Sequence, residues 1–276
     1  MATTKIQAAP QTAKRSFSAG SVISAIGRWI VRNRIYLIAF AIPAVLTYLA
    51  YALFGLYPFG EESVLCLDLN GQYVYYFEAL RDAFWGDGSI FYNWSRNLSG
   101  EFMGIIGYYL ASPFTLIVML LPEKFMLSSL LIMQLCKLGA AGATFNYFLQ
   151  KRRGVQPYPS LLFSTMYAMM AYGVIQLIDP MWLDGLVFLP LIMLGIEYLV
   201  DDGRRLNFII PLALMCVANF YIGYMICFFV ILYFLFYLCF GSDKKRKGYD
   251  YFTAFVRIAY SSVIALACAA FMLLPV

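Results

Sequence analysis

Long runs of apolar residues, separated by short polar and basic segments, make up most of the chain from residue 35 onward. An α-helix needs about 20 consecutive apolar residues to cross the hydrocarbon core of a bilayer, and most of these runs approach or exceed that length. The pattern therefore predicts an all-α integral membrane protein that crosses the bilayer several times. The apolar runs cover residues 35–59, 102–121, 125–149, 160–178, 185–200, 207–240 and 252–276.

Basic clusters at the ends of the runs predict the orientation of the helices. Lys and Arg are enriched in cytoplasmic loops, so we expect every cluster, and the N-terminus with them, to lie in the cytoplasm. An even number of spans must then separate each cluster from the next. The clusters are the tail at 1–34, Lys151-Arg152-Arg153, Arg204-Arg205 and Lys244-Lys245-Arg246-Lys247.

This rule of even numbers requires that one run before Lys151 does not cross the membrane. The run at 102–121 is the best candidate, because glycines and a Ser-Pro pair interrupt it. We predict that it forms a re-entrant or interfacial segment on the outer side. The interrupting residues are Gly104, Gly107, Ser112 and Pro113.

The run at 207–240 is too long for a single span at a rise of about 1.5 Å per residue. We predict that it splits near Asn219, which gives about seven transmembrane helices in a membrane domain at 35–276. The outer loop of this domain covers 58–124, and residues 1–34 form a basic cytoplasmic tail. Because the chain ends inside an apolar run, we expect the domain to be truncated at its C-terminus.

The composition agrees with a membrane protein and excludes several kinds of chemistry. Hydrophobic residues make up 62% and charged residues 13%, whereas soluble domains carry about 25% charged residues. The absence of histidine removes the commonest acid/base group and the commonest metal ligand. The formal charge of +5 is too small to suggest nucleic acid as a partner, and the six cysteines show no metal-binding spacing.

Residues 68–85 of the outer loop predict a helix that lies on the membrane. One face carries an apolar stripe at helical spacing, and the opposite face carries Asp68, Tyr75, Glu78 and Asp82. The sequence Gly86-Asp87-Gly88 is expected to end the helix. The apolar stripe consists of Tyr73, Phe77, Leu80 and Phe84.

Asp68, at the start of this helix, has two interpretations. Asp is among the best N-cap residues, so its role could be confined to capping. Alternatively, its carboxylate accepts a proton from a hydroxyl nucleophile or holds a divalent cation. A second outer turn places Asp179 and Asp184 around Trp182, either as a short loop with an interfacial tryptophan or as a second acidic wall that faces Asp68.

Lys137 lies in the middle of the run at 125–149, with Gln134 nearly one turn before it. A lysine at the centre of a span costs about 2.5–3.5 kcal/mol on insertion scales, so such a residue is a functional candidate. It could neutralise a lipid-linked phosphate, pair with an acid in the helix bundle, or extend its amine towards an interface.

Four motifs resemble the bacterial YfhO-like membrane proteins over most of the chain from about residue 35 onward. That family is similar to the GT-C class of membrane glycosyltransferases, which take a sugar from a polyprenyl-phosphate carrier outside the cytoplasm. Its members are longer, so this chain corresponds to the N-terminal module. The motifs are Asp68-Leu-Asn-Gly-Gln-Tyr73, Gly107-Tyr-Tyr-Leu-Ala-Ser-Pro113, Asp179-Pro-Met-Trp-Leu-Asp184 and Asn219-Phe-Tyr-Ile-Gly-Tyr224.

The resemblance implies a glycosyltransferase of the bacterial cell membrane, with a cell-envelope polymer such as lipoteichoic acid as the acceptor. Asp68 matches the essential acid of the first outer loop, and a divalent cation such as Mg²⁺ or Mn²⁺ would bind there if one is needed. Lys137 and Arg96 are candidates for the donor phosphate. The aromatic residues expected to stack on sugar or lipid are Tyr73, Tyr75 and Trp182.

Two alternatives to the transferase stay open. The first is a transporter or flippase of a lipid-linked sugar, with Lys137 in its pathway, and the second is a membrane fragment without catalytic activity. Transporters often contain internal repeats, and we find none in this sequence. The acidic residues also lie in predicted outer loops and not at the centres of spans, which favours the enzyme.

Overall fold

The computed structural model describes residues 19–95, 99–242, 244 and 247–275. The chain divides into two units, residues 1–34 and residues 35–276. In the described part of the first unit the chain is helical, and the Asn33 side chain donates to the Trp29 carbonyl at 2.8 Å.

Helices form almost all of the described structure. The α-helices are α1 (Ala19–Leu53), α2 (Val74–Trp85), α3 (Met103–Ile105), α4 (Thr115–Leu120), α5 (Met126–Arg152), α6 (Pro157–Ala168), α7 (Ala171–Ile175), α8 (Leu183–Asp202), α9 (Leu206–Ala218), α10 (Phe220–Phe236) and α11 (Gly248–Leu273). Shorter π-helical or 3₁₀ segments are Leu69–Tyr73, Ile106–Leu110, Glu123–Phe125, Pro180–Trp182 and Tyr237–Gly241. The strands β1 (Tyr92–Asn93) and β2 (Gly100–Glu101) form an antiparallel pair.

The prediction of an all-α membrane protein is confirmed. Among the described residues, five helical segments are long and apolar enough to cross a membrane. Two of the seven predicted spans are shorter: α9 has 13 residues, and the run at 160–178 is divided between α6 and α7. The spanning segments are Val22–Leu53, Glu123–Arg152, Pro180–Asp202, Phe220–Gly241 and Gly248–Leu273.

Asn219 separates α9 from α10, where the sequence predicted a break. Its backbone is extended, and its side-chain oxygen accepts a hydrogen bond from Ile222 N at 2.8 Å, which caps α10. Its amide nitrogen donates to the Tyr108 carbonyl at 2.8 Å. A single buried asparagine therefore ends one apolar helix, begins the next and holds the segment at 102–121 against both.

The run at 102–121 consists of short pieces in the structure. The helical turns from Met103 to Leu110 end before Ser112-Pro113, and α4 then covers only six residues. None of these pieces is long enough to cross a bilayer. This agrees with the prediction that the run does not span the membrane.

Helix α8 occupies the centre of the second unit and packs against both α5 and α9. Glycine permits the close approach of α8 and α9, because a Cβ atom on Gly195 would lie 2.3 Å from the Asn207 carbonyl oxygen. Helix α5 approaches α1 closely at Gly142, where an added Cβ atom would lie 2.5 Å from the Ala39 carbonyl oxygen. Small residues at such crossings are typical of helices packed in membranes.

Charged side chains join α5, α8 and α10 at the end of the bundle where the basic cluster of α5 lies. The buried Glu197 accepts from Arg152 Nε at 2.9 Å and from Arg153 Nη2 at 2.5 Å. Tyr233 also donates to Glu197 at 2.5 Å, and Arg152 forms a second ion pair with Asp201. Two of the arginines that indicated orientation in the sequence therefore also hold three helices together.

The predicted helix at 68–85 is present as the π-helical turn Leu69–Tyr73 followed by α2. Of the apolar stripe, Tyr73, Phe77 and Leu80 are buried within the protein, whereas Phe84 is 62% exposed. The described neighbours cover only the first turns of the stripe. Gly86 ends the helix, with its N–H bonded to the Asp82 carbonyl at 2.9 Å.

Candidate functional site

The hydroxyl of Tyr73 lies between two carboxylates from distant parts of the chain. Tyr73 Oη donates to Asp179 Oδ1 at 2.8 Å and lies 3.4 Å from Asp68 Oδ2. A phenol has a single proton to donate, and the shorter contact is with Asp179. Asp68 is therefore close to the hydroxyl while its oxygens keep most of their capacity to accept hydrogen bonds.

Asp68 occupies the N-cap position of the turn that begins at Leu69, but its side chain makes no capping hydrogen bond. The interpretation of Asp68 as a helix cap is therefore wrong. The side chain is exposed. The preceding residue, Leu67, has a φ of 48°, an uncommon conformation for a residue with a branched side chain. Strain of this kind is found more often at functional sites than elsewhere.

Tyr73 belongs to a cluster of tyrosine rings. Its ring centroid lies 5.1 Å from that of Tyr109 and 6.5 Å from that of Tyr76, and Tyr108 packs on Tyr109 at 4.5 Å. Burial, followed by the hydrogen bond to Asp179, raises the pKa of Tyr73 well above its usual value. Tyr73 is therefore a hydrogen-bond donor at neutral pH and not a base.

The two acids around Trp182 lie in different environments. Asp179 is half-buried and faces Tyr73 and Asp68, whereas Asp184 is 0% exposed and lies inside the bundle. Of the predicted acidic wall, the structure therefore brings only Asp179 to Asp68.

Asp184 forms a buried ion pair with Lys137. Lys137 Nζ lies 2.8 Å from Asp184 Oδ2, and the two side chains are 1% and 0% exposed. The same ammonium donates to the Pro180 carbonyl at 2.8 Å, and Ser112 Oγ donates to Asp184 Oδ1 at 2.8 Å. Of the sequence alternatives for Lys137, the structure contains the pair with an acid, and the Lys137 side chain is 1% exposed.

A groove of about 1160 Å³ runs along the exposed face of α2. It does not include Asp68, but it shares Tyr76 with the tyrosine cluster. Tyr75, predicted to stack on sugar, lines this groove and is 58% exposed. The other aromatic side chains of its lining are Trp85, Tyr92 and Trp94.

The remaining predicted residues are placed as follows. Trp182 is half-buried, and its indole nitrogen has no hydrogen-bond partner among the described residues. Arg96, a candidate for the donor phosphate, lies outside the described residues. No group of three or more acidic or cysteine side chains suited to a metal ion occurs in the described part of the chain.

Several residues of the site were not identified from the sequence. Ser112, Tyr109 and the Pro180 carbonyl each contact a predicted residue. The first two lie within the motif Gly107–Pro113, which carried the family resemblance but received no role. A backbone carbonyl leaves no signal in a sequence, so the role of Pro180 could not be predicted.

Several helices long and apolar enough to cross a membrane, joined by short segments that carry the polar site, define a multi-pass α-helical membrane protein. Residues 39–276 match the family described as "Bacterial membrane protein YfhO", and the chain belongs to this family. It is also similar to the "Uncharacterized protein YfhO" of Bacillus subtilis (strain 168), with 27% identity over 168 residues that cover 54% of this chain and 19% of that relative. No solved structure matches the chain.

Proposed function

We propose that the protein is a membrane glycosyltransferase that moves a sugar from a polyprenyl-phosphate donor to a hydroxyl of a cell-envelope polymer such as lipoteichoic acid. The reaction takes place on the outer face of the bacterial cell membrane, and the N-terminus lies in the cytoplasm. Because the chain spans 19% of the length of its Bacillus subtilis relative, other parts of a longer protein would contribute to binding of the polymer.

The observation that carries this proposal is the exposed carboxylate of Asp68 beside a protonated Tyr73. The acceptor hydroxyl oxygen attacks the anomeric carbon, the bond from that carbon to the phosphate oxygen breaks, and the phosphate leaves with the electron pair. Asp68 accepts the proton of the hydroxyl. Asp179 already accepts the hydrogen bond of the Tyr73 hydroxyl at 2.8 Å, so Asp68 is the carboxylate that remains available as a base.

The groove along α2 supports a sugar-containing substrate. Its exposed rings, including Tyr75 and Trp94, could pack against the apolar faces of a sugar, while Gln72 and Asn93 in its lining offer hydrogen bonds to hydroxyl groups. Tyr76 connects the groove to Tyr73. A substrate in the groove would therefore lie beside the tyrosine cluster that contains Tyr73.

Asp68 and Asp179 also suit a divalent cation. Mg²⁺ is usually held by one or two carboxylates together with substrate phosphate oxygens and water, and these two carboxylates lie on either side of one hydroxyl. A cation there would neutralise charge on the departing phosphate. Asp68 and Asp179 would be its protein ligands.

The paired state of Lys137 favours the transferase over a transporter of lipid-linked sugar. A transporter with Lys137 in its pathway needs this ammonium to meet the substrate, but its charge is paired with Asp184 and its side chain is 1% exposed. Asp68, by contrast, is exposed, and an enzyme that acts on a polymer needs a catalytic acid or base that the polymer can reach.

Replacement of Asp68 tests the proposal. Asp68→Asn keeps the size of the side chain and removes its ability to accept a proton, so transfer should fall by about 10²–10⁴-fold. Because the side chain caps no helix, protein level should be unchanged in both Asp68→Asn and Asp68→Ala. The measurement is sugar transfer to the envelope polymer in intact cells, made in a full-length relative if this chain alone is inactive.

Glu61→Gln is the matched control, because Glu61 is an exposed acid of the same predicted outer loop and loses the same charge. It should transfer sugar at the parental rate. An Asp68→Asn variant with normal level and normal transfer would remove Asp68 from the mechanism.

A further inference from the structure

Two buried side chains of α5 hold the turn that carries Asp179. Gln134 and Lys137 lie nearly one helical turn apart, and both are 1% exposed. Gln134 Nε2 donates to the Leu177 carbonyl at 2.7 Å, and Lys137 Nζ donates to the Pro180 carbonyl at 2.8 Å. These two carbonyls lie on either side of Asp179 along the chain.

The direction of the Asp179 side chain depends on this turn. Its backbone, with φ −119° and ψ 65°, is not helical, and its side chain makes no capping bond to the segment that begins at Pro180. Instead, the carboxylate accepts from Tyr73. A shift of the Leu177 or Pro180 carbonyl would therefore move the carboxylate relative to Tyr73 and Asp68.

Asp184 determines where the ammonium of Lys137 lies, and it also reaches the other side of the site. Its second oxygen accepts from Ser112 at 2.8 Å. Ser112 follows Tyr109 in the same segment, and Tyr109 packs against Tyr73. One buried ion pair thus connects α5, the turn at Asp179 and the segment that supports the tyrosine cluster.

We propose that Gln134, Lys137 and Asp184 are positioning residues that hold Asp179 against Tyr73 and beside Asp68, and that they contact no substrate. The inference rests on the proposed function only for its activity measurement. A displacement of a catalytic group by about 1 Å can lower the reaction rate about 10²-fold. Gln134 distinguishes positioning from a phosphate contact, because it carries no charge and a phosphate contact by Lys137 would not need it.

Three variants and one distance measurement test the inference. Gln134→Leu removes the contact with Leu177, and the double variant Lys137→Met/Asp184→Leu removes the contact with Pro180 without leaving an unpaired charge. Asn146→Leu is the matched control, since Asn146 is a fully buried amide of the same helix that bonds to Ser160 and Ser164, away from the site. Thermal stability is measured for each.

The distance measurement combines Tyr73→Cys with Asp179→Cys, in a background in which the six native cysteines are replaced. A short bifunctional thiol reagent cross-links them, and the yield reports the position of the turn without any substrate. Sugar transfer in intact cells is measured separately, in chains that keep Tyr73 and Asp179. We expect both test variants to lose most of the cross-link and about 10²-fold in transfer, while Asn146→Leu keeps both.

The outcomes separate this inference from the proposed function. Parental cross-linking in both Gln134→Leu and the double variant would overturn the positioning role, even if Asp68→Asn abolishes transfer. Loss of the cross-link together with normal transfer by Asp68→Asn would support the positioning role and remove Asp68 from the mechanism, whereas loss of the cross-link in a protein that transfers no sugar at all would support the positioning role and contradict the transferase. Loss of transfer in the double variant alone, with parental cross-linking and a fully active Gln134→Leu, would return Lys137 to contact with the donor phosphate.

Discussion

Asp184→Asn should strongly destabilise the protein. It would leave the ammonium of Lys137 without a charged partner inside the bundle, where both side chains are almost fully buried. Removal of one partner from a buried ion pair costs about 3–5 kcal/mol. Because 1 kcal/mol shifts the melting temperature of a chain of this size by about 2–4 °C, we expect a decrease of about 6–20 °C.

Asp202→Asn makes the same chemical change in an exposed pair and is the control. Lys244 Nζ lies 3.1 Å from Asp202 Oδ1, with the two side chains 55% and 32% exposed. Exposed pairs contribute about 0–1 kcal/mol, so the melting temperature should fall by at most about 4 °C. The assay heats the purified protein in detergent and measures the fraction that stays monodisperse.

The double variant Lys137→Met/Asp184→Leu completes the test. Replacement of a whole buried pair by apolar side chains is often neutral or stabilising, so the melting temperature should recover most of the loss. Equal melting temperatures for Asp184→Asn and Asp202→Asn would refute the reasoning, because they would mean that Lys137 is solvated or paired elsewhere in the protein.

Three further predictions concern the site and the orientation. Tyr73→Phe should keep the ring packing but remove the donor to Asp179, and since a hydrogen bond to a charged group contributes about 1.5–3 kcal/mol, sugar transfer should fall about 10–10²-fold; unchanged transfer would contradict a role for the hydroxyl. If a divalent cation binds the two carboxylates, EDTA should abolish transfer in membranes and Mg²⁺ or Mn²⁺ should restore it, whereas full activity in EDTA would exclude the cation. Cysteines at Lys151 and Arg204 should react with thiol reagents only from the cytoplasm and one at Asp87 only from outside; labelling of all three from one side would contradict the predicted topology.

The helices of the membrane domain could largely be predicted, because their signals are local. Asn219 is an efficient cap in the middle of an apolar run, and its position marks the break between α9 and α10. The break between α6 and α7 had no such signal. It depends on a close approach, since a Cβ at Gly173 would lie 2.2 Å from the Ala168 carbonyl oxygen, and no proline or polar residue marks it in the sequence.

The spacing within residues 68–85 predicted which side chains share a helix face, but not which of them other segments of the protein would cover. The spacing of Tyr73, Phe77, Leu80 and Phe84 determines that they share a face, but it does not determine how far a neighbouring element extends along it. The neighbouring segment leaves Phe84 exposed. Trp85, the next residue, donates its indole N–H to the Met119 carbonyl at 3.1 Å, so the end of α2 is held by a polar contact in place of apolar packing.

Asp179 and Asp184 could not be distinguished from the sequence, because their environments depend on contacts with remote residues. Both flank Trp182, and both are acids in an apolar context. Asp179 meets a hydroxyl 106 positions away, and Asp184 meets an ammonium 47 positions away. A local pattern contains neither partner, so the sequence could identify the acids but not assign their roles.

Stability alone does not explain the buried ion pair between Lys137 and Asp184. Apolar side chains of similar volume often stabilise a helix bundle as well as a buried pair does. Here an apolar pair would remove Lys137 from the Pro180 carbonyl and Asp184 from the Ser112 hydroxyl, while the carbonyl would keep the backbone N–H of Leu183 and the hydroxyl that of Phe114. The charge of Lys137 is therefore best understood through the backbone that it holds: the ammonium needs Asp184 to be buried at all, and its contact with Pro180 places Asp179 opposite Asp68.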